Sequence, residues 1–147
     1  MTPEEELRAE LQQGYPGLPI TIEPSSSEYF EMLQRRFPVC GSKIDWDRVP
    51  NSTIRRVNTV DSEHYFDEAI AFVREMLESE GLDRESQAVV IGDSAIEGAF
   101  RMPLYTLVLC LRTILRMPQH TYVLAPNGAW CLVLTMEGDV CFGYAPS

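Results

Sequence analysis

The sequence is poor in the side chains that most often carry catalysis or bind metal ions. It contains only two histidines, His64 and His120, and neither lies near a cysteine or another histidine at the spacing of metal ligands. Its four cysteines include no C-x-x-C pair, and neither the H-E-x-x-H motif nor a phosphate-binding loop occurs. We therefore predict no metal site and no cofactor.

Long hydrophobic segments are also absent. The most apolar run, residues 104–111, is far shorter than the roughly 20 residues that a membrane-spanning helix needs. Residues 1–10 lack the apolar segment of a signal peptide. Three of the four cysteines lie in apolar segments, where cysteine acts as a small hydrophobic side chain. These features predict a cytoplasmic protein with free thiols that binds no membrane.

Basic residues are scarce. Twelve lysines and arginines accompany 22 acidic residues, which gives a formal net charge of −10. Because phosphate binding needs clustered Lys and Arg, this balance disfavours nucleic acid and anionic membranes as partners. The acidity is uneven, since residues 101–147 hold only 2 of the 22 acids. Such charge has two interpretations, a solvated surface or a field that attracts a basic partner.

The clearest structural signal lies in residues 102–144. A helix is predicted over residues 103–116, and its apolar side chains cover nearly every face, as in a central, buried helix. Three apolar segments follow at 121–125, 129–136 and 140–144, separated by a two-residue hairpin signal at Asn127-Gly128 and a tight turn at 137–139. In the middle segment both alternating faces are apolar, so we expect both to be covered, with Trp130, Leu132, Leu134 and Met136 on one and Cys131 and Val133 on the other.

The rest of the chain adds amphipathic helices and short strands. Helices are predicted over residues 3–14, 25–37 and 61–79, an edge strand over 20–22, a strand over 53–57, a loop over 38–50 and a buried strand over 88–91. The predicted fold class is α+β: a C-terminal antiparallel β-meander, which strand 88–91 can extend, packs against the buried helix 103–116 and the amphipathic helices. We predict a single domain over residues 1–147.

One short motif suggests catalysis. Residues 90–94, Val-Ile-Gly-Asp-Ser, resemble the opening block of GDSL esterases, in which a strand presents a nucleophilic serine. Those enzymes take their histidine base from an Asp-x-x-His block, but the residue three positions before His120 is Met117. A Gly-x-Asn-Asp block is also missing. Asp93 or Ser94 capping the next turn explains the same letters. A small serine hydrolase using Ser94 is therefore an alternative function.

A second resemblance covers the last third of the chain. Residues 119–122 (Gln-His-Thr-Tyr), 130–133 (Trp-Cys-Leu-Val) and 137–143 (Glu-Gly-Asp-Val-Cys-Phe-Gly) resemble the C-terminal part of small bacterial immunity proteins. Those proteins protect cells against the toxins of polymorphic or contact-dependent growth inhibition systems. The resemblance implies a cytoplasmic protein that binds one toxin domain tightly and blocks its active site. It carries no functional residue over to this chain.

Our interpretation of the sequence is a stoichiometric protein inhibitor, not an enzyme, whose partner is a cognate toxin domain. A basic nuclease fits the charge, because nucleases must hold phosphates. Trp46 is a possible anchor, although it can equally fill the core. The candidate partner-binding residues are Asp45, Trp46, Asp47, Asp61, Glu63, Asp67, Glu68, Glu75 and Glu78. A non-enzymatic intracellular adaptor is a further alternative.

Overall fold

The computed structural model of the protein describes residues 1–147. It contains four α-helices, nine strands and one 3-10 turn at Trp46–Arg48. In chain order the elements are α1 (Pro3–Gly14), β1 (Thr21–Glu23), α2 (Ser27–Arg36), β2 (Val39–Cys40), β3 (Lys43–Ile44), β4 (Thr53–Arg56), α3 (Ser62–Ser79), β5 (Gln87–Gly92), β6 (Ala99–Pro103), α4 (Leu104–Leu115), β7 (Thr121–Leu124), β8 (Trp130–Leu134) and β9 (Asp139–Tyr144).

Seven strands form one antiparallel sheet in the order β1-β6-β5-β7-β8-β9-β4, and β2 pairs only with β3. The predicted meander is the run β7-β8-β9, in which Leu132 lies opposite both Val123 and Phe142. Strand β5 extends it as predicted, because Val90 pairs with Val123. The α+β fold class is therefore confirmed.

Helices cover both faces of the sheet, which explains why its central strands are apolar throughout. On one face α1, α3 and α4 pack against Trp130, Leu132 and Leu134, in a core of 28 buried residues. On the other face α2 packs against Cys131 and Val133, in a smaller core of 11 buried residues. The predicted division of β8 into two covered faces is confirmed for these five residues.

The helices follow the local signals of the sequence. Thr2 caps α1 by accepting the Glu5 N–H at 3.1 Å, and Pro3 occupies the first helical position. α4 is the central helix of its layer, but Tyr105 and Leu109 are 43% and 58% exposed. The predicted buried helix is therefore buried except on that face. None of the helices is both long and apolar enough to cross a bilayer.

Strand β6 is the element that the sequence pattern does not predict. It lies between β1 and β5, yet it contains Arg101 and ends at Pro103, two residues untypical of a central strand. The guanidinium of Arg101 donates to the Tyr29 hydroxyl at 2.8 Å, so its charge lies near the edge of the sheet with a partner. Pro103 directly precedes α4 and acts as its N-cap residue.

Two connections differ from their predicted form. The β7–β8 link is longer than a two-residue hairpin: the Gly128 N–H donates to the Ala125 carbonyl, and Gly128 alone takes the left-handed backbone, with φ 74°. Met136 lies beyond β8 and is 54% exposed, so its predicted place in the core is wrong. Residues 38–50, expected as a loop, contain the β2–β3 hairpin and the 3-10 turn.

Candidate protein-binding site

The nine candidate residues fall on two separate surfaces of the molecule. Six lie on or immediately before α3, namely Asp61, Glu63, Asp67, Glu68, Glu75 and Glu78. The other three, Asp45, Trp46 and Asp47, lie on the opposite side of the sheet beside the β2–β3 hairpin. The structure therefore does not bring the predicted set together as one interface.

The acids in the first half of α3 are held by neighbouring groups. Arg112 of α4 pairs with Glu63 at 2.7 Å and also with Asp67, and its guanidinium lies 5.8 Å from the centre of the Phe66 ring. Glu68 accepts the Asn58 N–H at 3.3 Å and lies 3.0 Å from His64 Nε2. These carboxylates fasten α3 to α4 and to the preceding loop.

Of the remaining α3 acids, only Glu78 has no partner in the protein. Asp61 caps the helix by accepting the Glu63 N–H at 3.0 Å. Glu75 pairs with Arg55 at 2.5 and 3.2 Å, and this hydrogen bond lowers the pKa of Glu75. Arg55 also lies 5.2 Å from the centre of the Phe72 ring. Most of the α3 carboxylates thus have a partner within the molecule, and Arg55 and Arg112 supply the compensating charges among these partners.

The second group borders a cavity of about 500 Å³, which we call the acidic pocket. Its floor is formed by Tyr122, Val133 and Cys141, whose side chains point from β7, β8 and β9 to the α2 side of the sheet. Ile54 of the edge strand β4 and Trp46 provide apolar walls. The pocket exists because α2 ends at Arg36, and beyond it only the segment 39–49 lies over these strands.

Trp46 is partly buried: it packs on the sheet and still contacts solvent, so its role as a partner anchor stays a prediction. Its ring lies 6.2 Å from that of Phe37, and Ser52 Oγ donates to its carbonyl at 3.1 Å. Gly143 makes room for this packing, because a Cβ there would lie 3.1 Å from the Trp46 ring and 2.9 Å from Val49. A tight contact thus holds the Asp45-Trp46-Asp47 turn against β9.

The rim of the acidic pocket is strongly negative. It carries the carboxylates of Asp45, Asp47, Glu137 and Asp139, against a single lysine, Lys43. Asp139 pairs with Arg56 at 3.0 Å, and Glu137 lies 3.6 Å from His120 Nε2. The pKa of Glu137 is lowered mainly by its own backbone N–H, with help from His120 and Lys43. By contrast, neither Asp45 nor Asp47 takes part in any ion pair of the structure.

The floor of the pocket is neutral. Burial raises the pKa of the Cys141 thiol to about 12, and the nearby carboxylates of Asp139 and Asp47 add to the shift. Burial likewise raises the pKa of Tyr122 to about 12. Both side chains therefore stay protonated at neutral pH, and the negative charge is confined to the rim.

The alternative site around Ser94 has a different arrangement. Ser94 Oγ donates to the Pro118 carbonyl at 3.3 Å, and Asp93 accepts the backbone N–H of His120 at 2.9 Å. His120 Nδ1 accepts the Met136 N–H at 3.1 Å, so the imidazole is turned towards the 135–138 turn. Ser94 and His120 share no hydrogen bond. No group of three or more His, Cys, Asp or Glu side chains is placed to hold a metal ion.

Sequence reasoning did not identify Glu137 and Asp139 as part of a site. Glu137 lies in the β8–β9 turn and Asp139 begins β9, with Gly138 between them, and this sequence predicts a hairpin and nothing more. Their one distinguishing signal is that they are the only acids after residue 100. Their proximity to Asp45 and Asp47 arises from the position of the β2–β3 hairpin over the sheet, which no local pattern shows.

Comparison with models of known protein families and with curated proteins gives no match to this chain. The resemblance of residues 119–143 to immunity proteins therefore stays a prediction.

Proposed function

We propose that this protein is an immunity protein, a stoichiometric inhibitor that binds a cognate bacterial toxin domain in the cytoplasm and neutralises it without catalysis of its own. The observation that carries this proposal is the acidic pocket, in which Asp45 and Asp47 lack ion-pair partners beside an apolar floor. The net charge of −10 and the C-terminal resemblance support it. The partner is a basic domain, most simply a nuclease, and neither nucleic acid nor membrane is bound directly.

The two surfaces contribute differently to this function. An acidic field speeds the capture of a basic partner, whereas lasting affinity comes from a few buried anchors. The acidic pocket offers both, since Trp46 and Val133 lie beside uncompensated carboxylates. The α3 acids offer less, because Arg55 already pairs with Glu75, and Arg112 pairs with both Glu63 and Asp67. We therefore place the principal interface at the pocket and not on α3.

The test is titration calorimetry, with stopped-flow kinetics, against the C-terminal domain of the protein encoded immediately upstream. We expect one-to-one binding, loss of toxin activity in the complex, and association that slows as salt is added. The variant Asp45→Asn/Asp47→Asn should slow association about tenfold. The matched control is Asp61→Asn/Glu78→Gln, which removes the same charge from acids without ion-pair partners away from the pocket and should slow association about twofold or less.

The outcomes separate the function from the location of the interface. An upstream domain that does not bind, or that stays active in the complex, contradicts the inhibitor. If the two double variants slow association equally, the inhibitor function stands, but the pocket is not part of the interface. Circular dichroism of each variant checks that the exchanged carboxylates have not altered the fold.

A further inference from the structure

The acidic pocket has room for a long side chain of a partner. Its volume of about 500 Å³ lies within the roughly 300–1,000 Å³ typical of pockets that hold small ligands. The floor side chains Tyr122, Val133 and Cys141 are each less than 9% exposed, while Ile54 at the wall is half exposed. The pocket therefore has a buried, largely apolar floor and an accessible apolar wall below the carboxylates of its rim.

The charge of the rim favours a cation. The four carboxylates and Lys43 together carry a net charge of −3. Lys43, the only lysine of the chain, lies near Glu137, and Arg56 pairs with Asp139. No ion pair includes Asp45 or Asp47, the residues directly before and after Trp46. Arg48 follows in the same turn, but it neither borders the pocket nor forms an ion pair with these carboxylates.

At two other places in the molecule an aromatic ring lies near carboxylates, and an arginine binds both. Arg112 lies over Phe66 while pairing with Glu63 and Asp67, and Arg55 lies over Phe72 while pairing with Glu75. In each case a guanidinium lies over an aromatic ring and against carboxylates. Trp46 with Asp45 and Asp47 is a third aromatic ring accompanied by carboxylates, and it has no arginine.

We propose that the acidic pocket receives the side chain of one arginine of the partner, with its guanidinium between Asp45 and Asp47 and its stem against the apolar walls formed by Trp46 and Ile54. This inference rests on the proposed function and names the chemistry of its interface. Arginine fits better than lysine because the planar guanidinium pairs with carboxylates through two hydrogen bonds, is less strongly hydrated and stacks on aromatic rings.

The test uses N-acetyl-arginine methylamide as the probe and methyl NMR spectra of the full chain as the readout. We expect saturable shifts of the Ile54 and Val133 methyl groups, with a dissociation constant on the order of 1–10 mM, as for a single small fragment. The matched probe is N-acetyl-citrulline methylamide, which has nearly the same shape without the charge and should cause no saturable shift. N-acetyl-lysine methylamide should bind at least about threefold more weakly.

Three variants test which groups hold the probe. Asp45→Asn/Asp47→Asn should weaken arginine binding at least about fivefold. Asp61→Asn/Glu78→Gln, with the same net charge, should leave it unchanged. Lys43→Gln should tighten binding about twofold, because it removes the one lysine that lines the pocket. A tighter complex on loss of a positive charge is a result that damage to the fold would not produce.

Several results would overturn the inference. These are the absence of saturable shifts, equal binding of citrulline, equal binding of lysine, or equal weakening by the two double variants. The proposed function fails separately, because the arginine probe needs no toxin. If arginine binds but no toxin does, the proposed arginine pocket stands and the proposed inhibitor function fails. If the toxin binds but arginine does not, the inhibitor function stands and the arginine pocket fails.

Discussion

At the residue scale, Gly92 shows how tightly one end of β5 is packed. A Cβ at Gly92 would lie 1.9 Å from Oε1 of Gln119, whose amide is buried and accepts the N–H groups of Ala95 and Ile96 at 2.9 and 3.2 Å. We expect Gly92→Ala to lower the free energy of unfolding by about 2–4 kcal/mol, through overpacking and displaced hydrogen bonds. Urea denaturation measures the change.

The control for this substitution is Gly14→Ala, because nothing lies within 4 Å of a Cβ at Gly14 and its φ is not left-handed. That variant should be neutral or slightly stabilising. In a double-mutant cycle, Gly92→Ala and Gln119→Ala should together cost about 1 kcal/mol less than the sum of the single changes. Additive costs would show that the strain at Gly92 does not come from Gln119.

The same contacts account for the letters that resemble an esterase block. Gly92 makes room for Gln119, Asp93 accepts the His120 N–H, and Ser94 donates to the Pro118 carbonyl. These three contacts hold the end of β5 and the loop after it against the segment that leads into β7. The Gly-Asp-Ser sequence therefore has a structural explanation at each position.

At the scale of elements, α1 is fastened by a carboxylate as well as by its apolar stripe. Glu4 Oε1 accepts the N–H groups of Glu97 and Gly98 at 2.6 and 2.9 Å, while Oε2 accepts from Arg8 at 2.7 Å. Burial opposes ionisation, but the Gly98 and Glu97 N–H groups and Arg8 together lower the pKa of Glu4 below its ordinary 4.5. The ionised carboxylate therefore stabilises the docking of α1 beside the β5–β6 loop.

We expect Glu4→Gln to lower the free energy of unfolding by about 1 kcal/mol at pH 7, since its hydrogen bonds are charge-assisted but partly exposed. Because the folded pKa is depressed, the contribution is complete above pH 4.5 and is lost as the pH falls through the folded pKa. The difference from the wild type should therefore shrink below pH 4.5 in urea titrations. Glu5→Gln is the control, because Glu5 lies in the same first turn without this contact; equal losses would refute the anchor.

Elements with a clear local pattern were predictable from sequence, and elements shaped by tertiary contacts were not. α3 shows a helical stripe and β8 is a short apolar run between turn residues, so both agree with the prediction. β6 was missed because the Arg101 charge is compensated only by Tyr29 and Glu23, which lie far away in sequence. The acidic pocket joins residues 45–47 to 137–139, and only the folded sheet brings these segments together.

At the scale of the whole molecule, the net charge of −10 opposes the compact state through self-repulsion. Raising NaCl from about 20 to about 200 mM shortens the screening length from roughly 20 Å to 7 Å. Repulsion between the carboxylates acts over these distances, so screening weakens it. The ion pairs of the arginines are short and individually weak, so screening them costs little. We expect the free energy of unfolding, measured in urea, to rise by about 0.5 kcal/mol and then level off, because screening saturates. Salting-out would instead make the free energy of unfolding rise steadily with salt.

The same salt should act in the opposite direction on capture of the proposed partner. Attraction between the acidic surface and a basic domain is screened over the same range, so association should slow while the free protein becomes more stable. Measuring both quantities across one salt series separates the two effects of a single charge distribution. Unfolding that becomes easier with salt would show that the ion pairs of Arg55, Arg56 and Arg112 outweigh the repulsion, and the acidic surface would then contribute to the stability of the fold.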